Sequence, residues 1–168
     1  LITKDLPVLA PNFRQTATLP EYLKRHGVVA IADVDTRRLT RLLRSKGAQN
    51  GCILALPLGE AIPDAHVDAA LAAARAAPPM NGLDLAKVVS VGQPYEWTGT
   101  EWVLGTGHGT QTAARHHVVA FDYGVKRNIL RMLATRGCRI TVLPARSTAA
   151  GALALNPDGI FLANGPGG

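Results

Sequence analysis

The 168 residues include 47% hydrophobic and 18% charged side chains, enough apolar material to bury a core, so a disordered chain is excluded as the starting expectation. The formal charge of +6 would suit a nucleic-acid binder, but aromatics make up only 5% and no base-stacking motif occurs, so that partner is not expected. No apolar run approaches the roughly 20 residues needed to cross a bilayer, and the first residues lack the charged-then-apolar order of a signal peptide; no membrane partner is expected and the chain is assigned to the cytoplasm.

Taken in chain order, residues 19–27 predict a short helix closed by Gly27, where a left-handed backbone suits glycine. Val28 to Ala32 is a compact, mostly β-branched run that predicts a strand, and residues 33–36 then supply capping oxygens for a helix over 37–46. In that helix Arg37, Arg38, Arg41, Arg44 and Lys46 interleave with Leu39, Leu42 and Leu43, so the basic cluster is read as the solvated side of an amphipathic element. Residues 51–56 predict a second strand, and the alanine-rich stretch 63–77 a helix stopped by Pro78 and Pro79. Residues 83–89 suggest a short helical piece, and 95–97 with 101–104 alternate like a hairpin. The small, polar stretch 105–116 has no hydrophobic periodicity and is read as a linker between two domains, with His108, His116 and His117 as solvated histidines rather than metal ligands.

From residue 117 the pattern changes to strand–helix alternation. Strands are predicted at 118–122, 139–143 and 160–162, with helices over 125–136 and 148–155, the latter capped by Ser147. Three strands joined by two crossover helices make the opening half of a flavodoxin-like sheet, whose ligands collect beyond the carboxyl ends of the strands. Asn164-Gly165-Pro166-Gly167-Gly168 follows the third strand at that end. Two glycines around a proline let the backbone turn sharply, bring N–H groups close to a substrate without Cβ interference, and hold that shape through the fixed φ of Pro166. Preorganised N–H groups are what an oxyanion requires, although any tight turn after a strand can look the same. Cys52 and Cys138 sit beside apolar stretches, are too few for a disulfide framework, and are read as small buried hydrophobes.

Longer ordered segments carry a resemblance. Residues 29–37, 39–44 and 46–51 in the first half, and 122–131, 136–138, 156–162 and 164–167 in the second, resemble the small subunit of glutamine-dependent carbamoyl phosphate synthetase. The resemblance implies an α/β chain: residues 1–104 as a partial mixed α/β amino-terminal domain of the swivelling β/β/α type, 105–116 as linker, and 117–168 as the first three strands of a class I glutamine amidotransferase domain. In that family a cysteine on a nucleophile elbow attacks the glutamine amide, and a histidine backed by a glutamate moves the protons. None of those three residues can be assigned here; they are expected beyond Gly168, and Cys138 precedes a strand in the wrong place. The resemblance makes Gly165 the loop glycine whose N–H helps hold the glutamine and its oxyanion, and Gly167 a second glutamine contact. Where the family usually has an acidic residue this chain has Gly168.

The resemblance further implies a large synthetase subunit as partner and L-glutamine as substrate. The sequence has no Walker pattern, so no cofactor is expected in this chain, ATP and Mg being used by the large subunit. The chain is expected to be an internal piece of the longer protein, inactive by itself. The rival reading is a binding module that uses its strand ends to hold a phosphate or a partner.

Overall fold

A computed structural model describes residues 1–7, 12–57, 59–80 and 82–166. The contacts divide the chain into two compact units, residues 1–80 and 81–168.

Among the described residues the first unit has three helices, α1 (Leu19–Arg25), α2 (Thr36–Lys46) and α3 (Asp64–Ala76). Thr18 and Glu21 form a reciprocal capping box at the start of α1, and Asp35 caps α2 by accepting from the Arg38 N–H at 2.9 Å. Gly27 and Gly47 follow α1 and α2 with φ of +61° and +78°, as their placement after the last turn predicts. The two strands expected at 28–32 and 51–56 do not form. Residues 1–4 run alongside 29–33, with Ile31 donating to the Leu1 carbonyl and Thr3 to the Ile31 carbonyl, yet only the Ile2–Ile31 pair qualifies as a parallel bridge. A β-branched run supplies strand propensity, but the neighbour it finds, the short segment 1–4, extends the pairing no further than one bridge. No described residue of this unit is fully buried. Cys52, expected in a core, is exposed for the same reason.

The second unit holds a four-stranded sheet in the order β1-β5-β4-β6, made of β1 (Tyr95–Trp97), β4 (His116–Asp122), β5 (Cys138–Pro144) and β6 (Gly159–Leu162). Strand β4 is central and parallel to both β5 and β6, which is the opening of a flavodoxin-like sheet as the alternation predicts. The architecture is mixed α/β. Helices α5 (Arg127–Thr135) and α6 (Ala149–Leu153) follow β4 and β5, and α4 (Leu85–Val89) precedes β1. The cap of α6 is Thr148 rather than Ser147, its hydroxyl accepting from Gly151 N–H at 3.1 Å.

Strand alternation sends side chains to two cores. Ala120, Ile140 and Val142 join Leu130 and Ala134 of α5 on one face; Val119, Phe121 and Leu143 join Ala152 of α6 on the other. Because β4 has partners on both sides and β6 only one among the described strands, amide exchange is expected to be slowest at Val119–Phe121 and faster along Ile160–Leu162. Equal protection of the two strands, read residue by residue by NMR, would contradict this order.

Two further expectations are corrected. Residues 95–97 do not pair with 101–104. Strand β1 adds antiparallel to β5 with Tyr95 opposite Val142, while β2 (Gly99–Val103) pairs with β3 (Gly107–Thr110). Gly107–Thr110, within the stretch read as a linker, is therefore a strand. Gly105 and Gly107, with φ of +84° and +81°, make the β2–β3 turn, and backbone pairing rather than apolar periodicity holds the strand.

His117 is likewise buried, not solvated, whereas His108 and His116 are exposed. Its Nε2 lies 2.8 Å from the Thr141 hydroxyl, which donates its one hydrogen to Glu96 Oε1 at 2.5 Å. Thr141 must then accept from His117 Nε2–H, which fixes the tautomer. The chain His117–Thr141–Glu96 ties β4, β5 and β1 together. Replacing Thr141 by Val leaves a buried N–H without an acceptor and is expected to cost about 1–3 kcal/mol in denaturant unfolding, with Thr141→Ser largely restoring it. A Val variant as stable as the parent would contradict the network.

Candidate functional site at the carboxyl end of the parallel strands

The site is assembled where β4 and β6 end side by side. Strand β4 closes on Asp122, only 4% exposed, and the chain turns through Tyr123 and Gly124 into α5. The Asp122 carboxylate accepts three backbone N–H groups: Gly124 at 2.9 Å and Val125 at 2.8 Å on Oδ1, and Val91 at 2.9 Å on Oδ2. Gly124 has φ of +107°, and a Cβ there would stand 3.0 Å from Val89 Cγ2, so backbone conformation and space both require glycine. Burial first, and then the negative charge of Asp122, raise the Tyr95 hydroxyl above the ordinary phenol range, opposed by Arg127.

Strand β6 leads into the glycine loop through Ala163, whose N–H donates to the Phe121 carbonyl at 3.2 Å. Gly165 then passes directly against the turn that follows β4. A Cβ on Gly165 would lie 2.5 Å from the Tyr123 carbonyl oxygen and 2.9 Å from Tyr123 Cβ, closer than any real side chain tolerates. Pro166 lies beside Gly124, its Cδ 3.6 Å from where a Cβ on that glycine would stand. The loop and the turn thus interlock, glycine against backbone on one side and proline against glycine on the other. The Gly165 N–H has no acceptor among the described residues and lies on an exposed stretch of loop.

Of the two glycines that the sequence singles out, Gly165 sits at the carboxyl end of β6 against β4, and Gly167 lies outside the described residues. Cys138 begins β5, at the opposite end of the sheet from the loop, and is half-buried against the α5 core. Lys126 and Asn128 are exposed at the start of α5. Asp122 is the residue that sequence reasoning passed over. Its signal was present: an aspartate at a strand end, two residues before a glycine, is the pattern of a side chain that caps its own turn. Nearby, a cleft of about 150 Å³ is lined by Lys87, Ser90, Val91, Gly92 and residues 144–146. Among the described residues no group of three or more His, Cys, Asp or Glu side chains is placed to hold a metal ion, and no helix is long and apolar enough to cross a membrane.

Comparison with known proteins gives a family match near each end of the chain. Residues 1–53 match the family model described as carbamoyl-phosphate synthase small chain, CPSase domain, and residues 119–168 match that of class-I glutamine amidotransferase. Across 99% of its length the chain is 61% identical to a carbamoyl phosphate synthase small chain of Rubrivivax gelatinosus, 63% to one of Ralstonia nicotianae and 56% to one of Escherichia coli. It covers 44%, 42% and 43% of those proteins, a little under half of each. Along its length the chain is similar to part of a carbamoyl phosphate synthase small chain.

Proposed function

We propose that these residues form part of a glutamine-hydrolysing small chain of carbamoyl phosphate synthase, and that Gly165 presents its N–H to the oxyanion formed when the glutamine side-chain amide is attacked. The observation that carries this reading is the seating of Gly165 on the Tyr123 backbone, with its own N–H free among the described residues. A donor held by backbone packing needs no reorganisation as negative charge develops on the carbonyl oxygen, which is where such donors contribute most. Gly167 is assigned a second contact to glutamine, and Pro166 holds the spacing of the two glycines.

The nucleophile and its base are assigned to residues outside this chain. Attack by a cysteine thiolate on the amide carbon, with a proton delivered to the leaving nitrogen, releases ammonia and leaves a thioester that water hydrolyses to glutamate. The ammonia is then used by a large subunit, with ATP, Mg and bicarbonate, to make carbamoyl phosphate for arginine and pyrimidine synthesis. Assembly with that subunit as a heterodimer, and a cytoplasmic location, belong to the same proposal, as does the division into an amino-terminal domain and the start of an amidotransferase domain.

Reading the gene downstream of the Gly168 codon tests this cheaply. A Gly-x-Cys-x-Gly elbow on the next strand and a His-x-Glu further on are expected, and their absence overturns the reading. The 168-residue chain alone is expected to release no ammonia from glutamine above buffer background, because a donor loop without nucleophile and base has nothing to stabilise. Release that survives further purification would contradict that assignment.

A further inference from the structure

We propose that Asp122 is the positioning residue for the glycine loop, acting through the Tyr123 peptide; this rests on the reading of Gly165 as an oxyanion donor. The Asp122 carboxylate makes no hydrogen bond to the described residues of the loop. Its two oxygens instead take the N–H groups of Gly124, Val125 and Val91, at 2.8 to 2.9 Å, so one buried carboxylate fixes the turn after β4 from two sides. Held between its bonds is a single residue, Tyr123, and the carbonyl oxygen and Cβ of Tyr123 are the wall against which Gly165 packs. A tilt of that peptide must move Gly165 with it, since there is no flexible side chain in between to absorb the shift.

The chemistry of the three bonds makes the carboxylate hard to replace. All three partners are donors, and an ionised carboxylate is acceptor-only on both oxygens. An asparagine amide offers one oxygen and one NH₂, so either the Gly124–Val125 pair or Val91 would face a donor. The turn would keep its sequence and lose its geometry. Removing a bond that sets position, rather than one that holds substrate, should appear in kcat more than in KM, because only the developing oxyanion needs the displaced N–H.

The test uses the full-length product of the gene, with ammonia release from L-glutamine as the readout. Asp122→Asn is expected to lower kcat about 10–100-fold while changing KM less than about threefold, the scale of loss that follows a misplacement of about 1 Å. A core variant, Val142→Ala, is chosen to lower the unfolding midpoint comparably without touching the turn, and is expected to keep the parent kcat. If Asp122→Asn does not fold, Gly124→Ala carries the test: it strains the same turn through its φ of +107° and the Val89 contact while leaving the carboxylate in place, and the same kcat loss is expected. A parent enzyme that is active, with turn variants matching its kcat, or a Val142→Ala variant that loses as much kcat as Asp122→Asn, overturns the positioning role alone. A parent that releases no ammonia overturns the oxyanion reading and this proposal together.

Discussion

Replacing Gly165 by alanine is expected to lower kcat/KM for glutamine hydrolysis by the full-length protein about 10²–10³-fold, the loss typical of removing one oxyanion donor. The methyl group would stand 2.5 Å from the Tyr123 carbonyl oxygen and 2.9 Å from Tyr123 Cβ. Main-chain atoms at the end of a central strand cannot swing aside as the tip of a lysine could, and Asp122 holds that turn through three hydrogen bonds. The loop must therefore lift, taking its N–H away from the place proposed for the oxyanion. Gly165 lies on an exposed loop and contributes nothing to either core, so the unfolding midpoint is expected to move little. The combination of a large kinetic loss and a small stability change is the diagnostic result. A variant within about threefold of the parent in kcat/KM would show that the loop has room, contrary to the close approach seen here.

The largest stability effect is expected at Leu130. Its side chain is fully buried on α5 against Ala120, Ile140 and Val142, at the centre of the larger core. Truncation to alanine removes buried methyl groups and leaves a cavity between helix and sheet, a loss of about 2–5 kcal/mol. For a unit of this size that corresponds to a fall in midpoint of roughly 10–20 °C or more. Leu104→Ala provides the comparison: Leu104 is 74% exposed in the same unit, and its truncation is expected to change stability by no more than about 0.5 kcal/mol. Thermal unfolding of the two variants side by side checks the contrast, and equal effects would mean that α5 does not pack on the sheet as described.

The parallel sheet was legible in the sequence because its signals are local. The apolar run ending in Asp122, the amphipathic stretch stopped by Gly137 and the turn at Asn156 to Gly159 each announce a boundary within a few residues of the observed one. The edge strand β1 was not legible. Tyr95 to Trp97 alternates like half of a hairpin, and nothing within ten residues says that its partner is Ile140 to Val142 instead. Strand β3, Gly-His-Gly-Thr, carries no periodicity at all and is a strand only because β2 lies beside it. Val28 to Ala32 fails in the opposite sense: its composition favours a strand, but propensity without a full-length neighbour leaves it as a single bridge.

The candidate site divides along the same line. The glycine loop could be found from Gly165, Pro166 and Gly167 because those residue types constrain backbone shape directly. What holds the loop in place could not be found that way. The contact between Gly165 and Tyr123 spans 42 residues of sequence, and the bond from Val91 to Asp122 spans 31. His117 shows the same limit on the other side of the sheet: beside a polar stretch it reads as solvated, and only pairing with Asp158 and Thr141 buries it.

Ammonia release from L-glutamine by the full-length gene product, measured for the parent and for Gly165→Ala under the same conditions, bears most directly on the function proposed for this chain. The expected result is glutamine-dependent release by the parent, abolished by alkylation of a cysteine outside residues 1–168 and lowered about 10²–10³-fold in the variant. No release by the folded parent, or release that Gly165→Ala leaves unchanged, would contradict it.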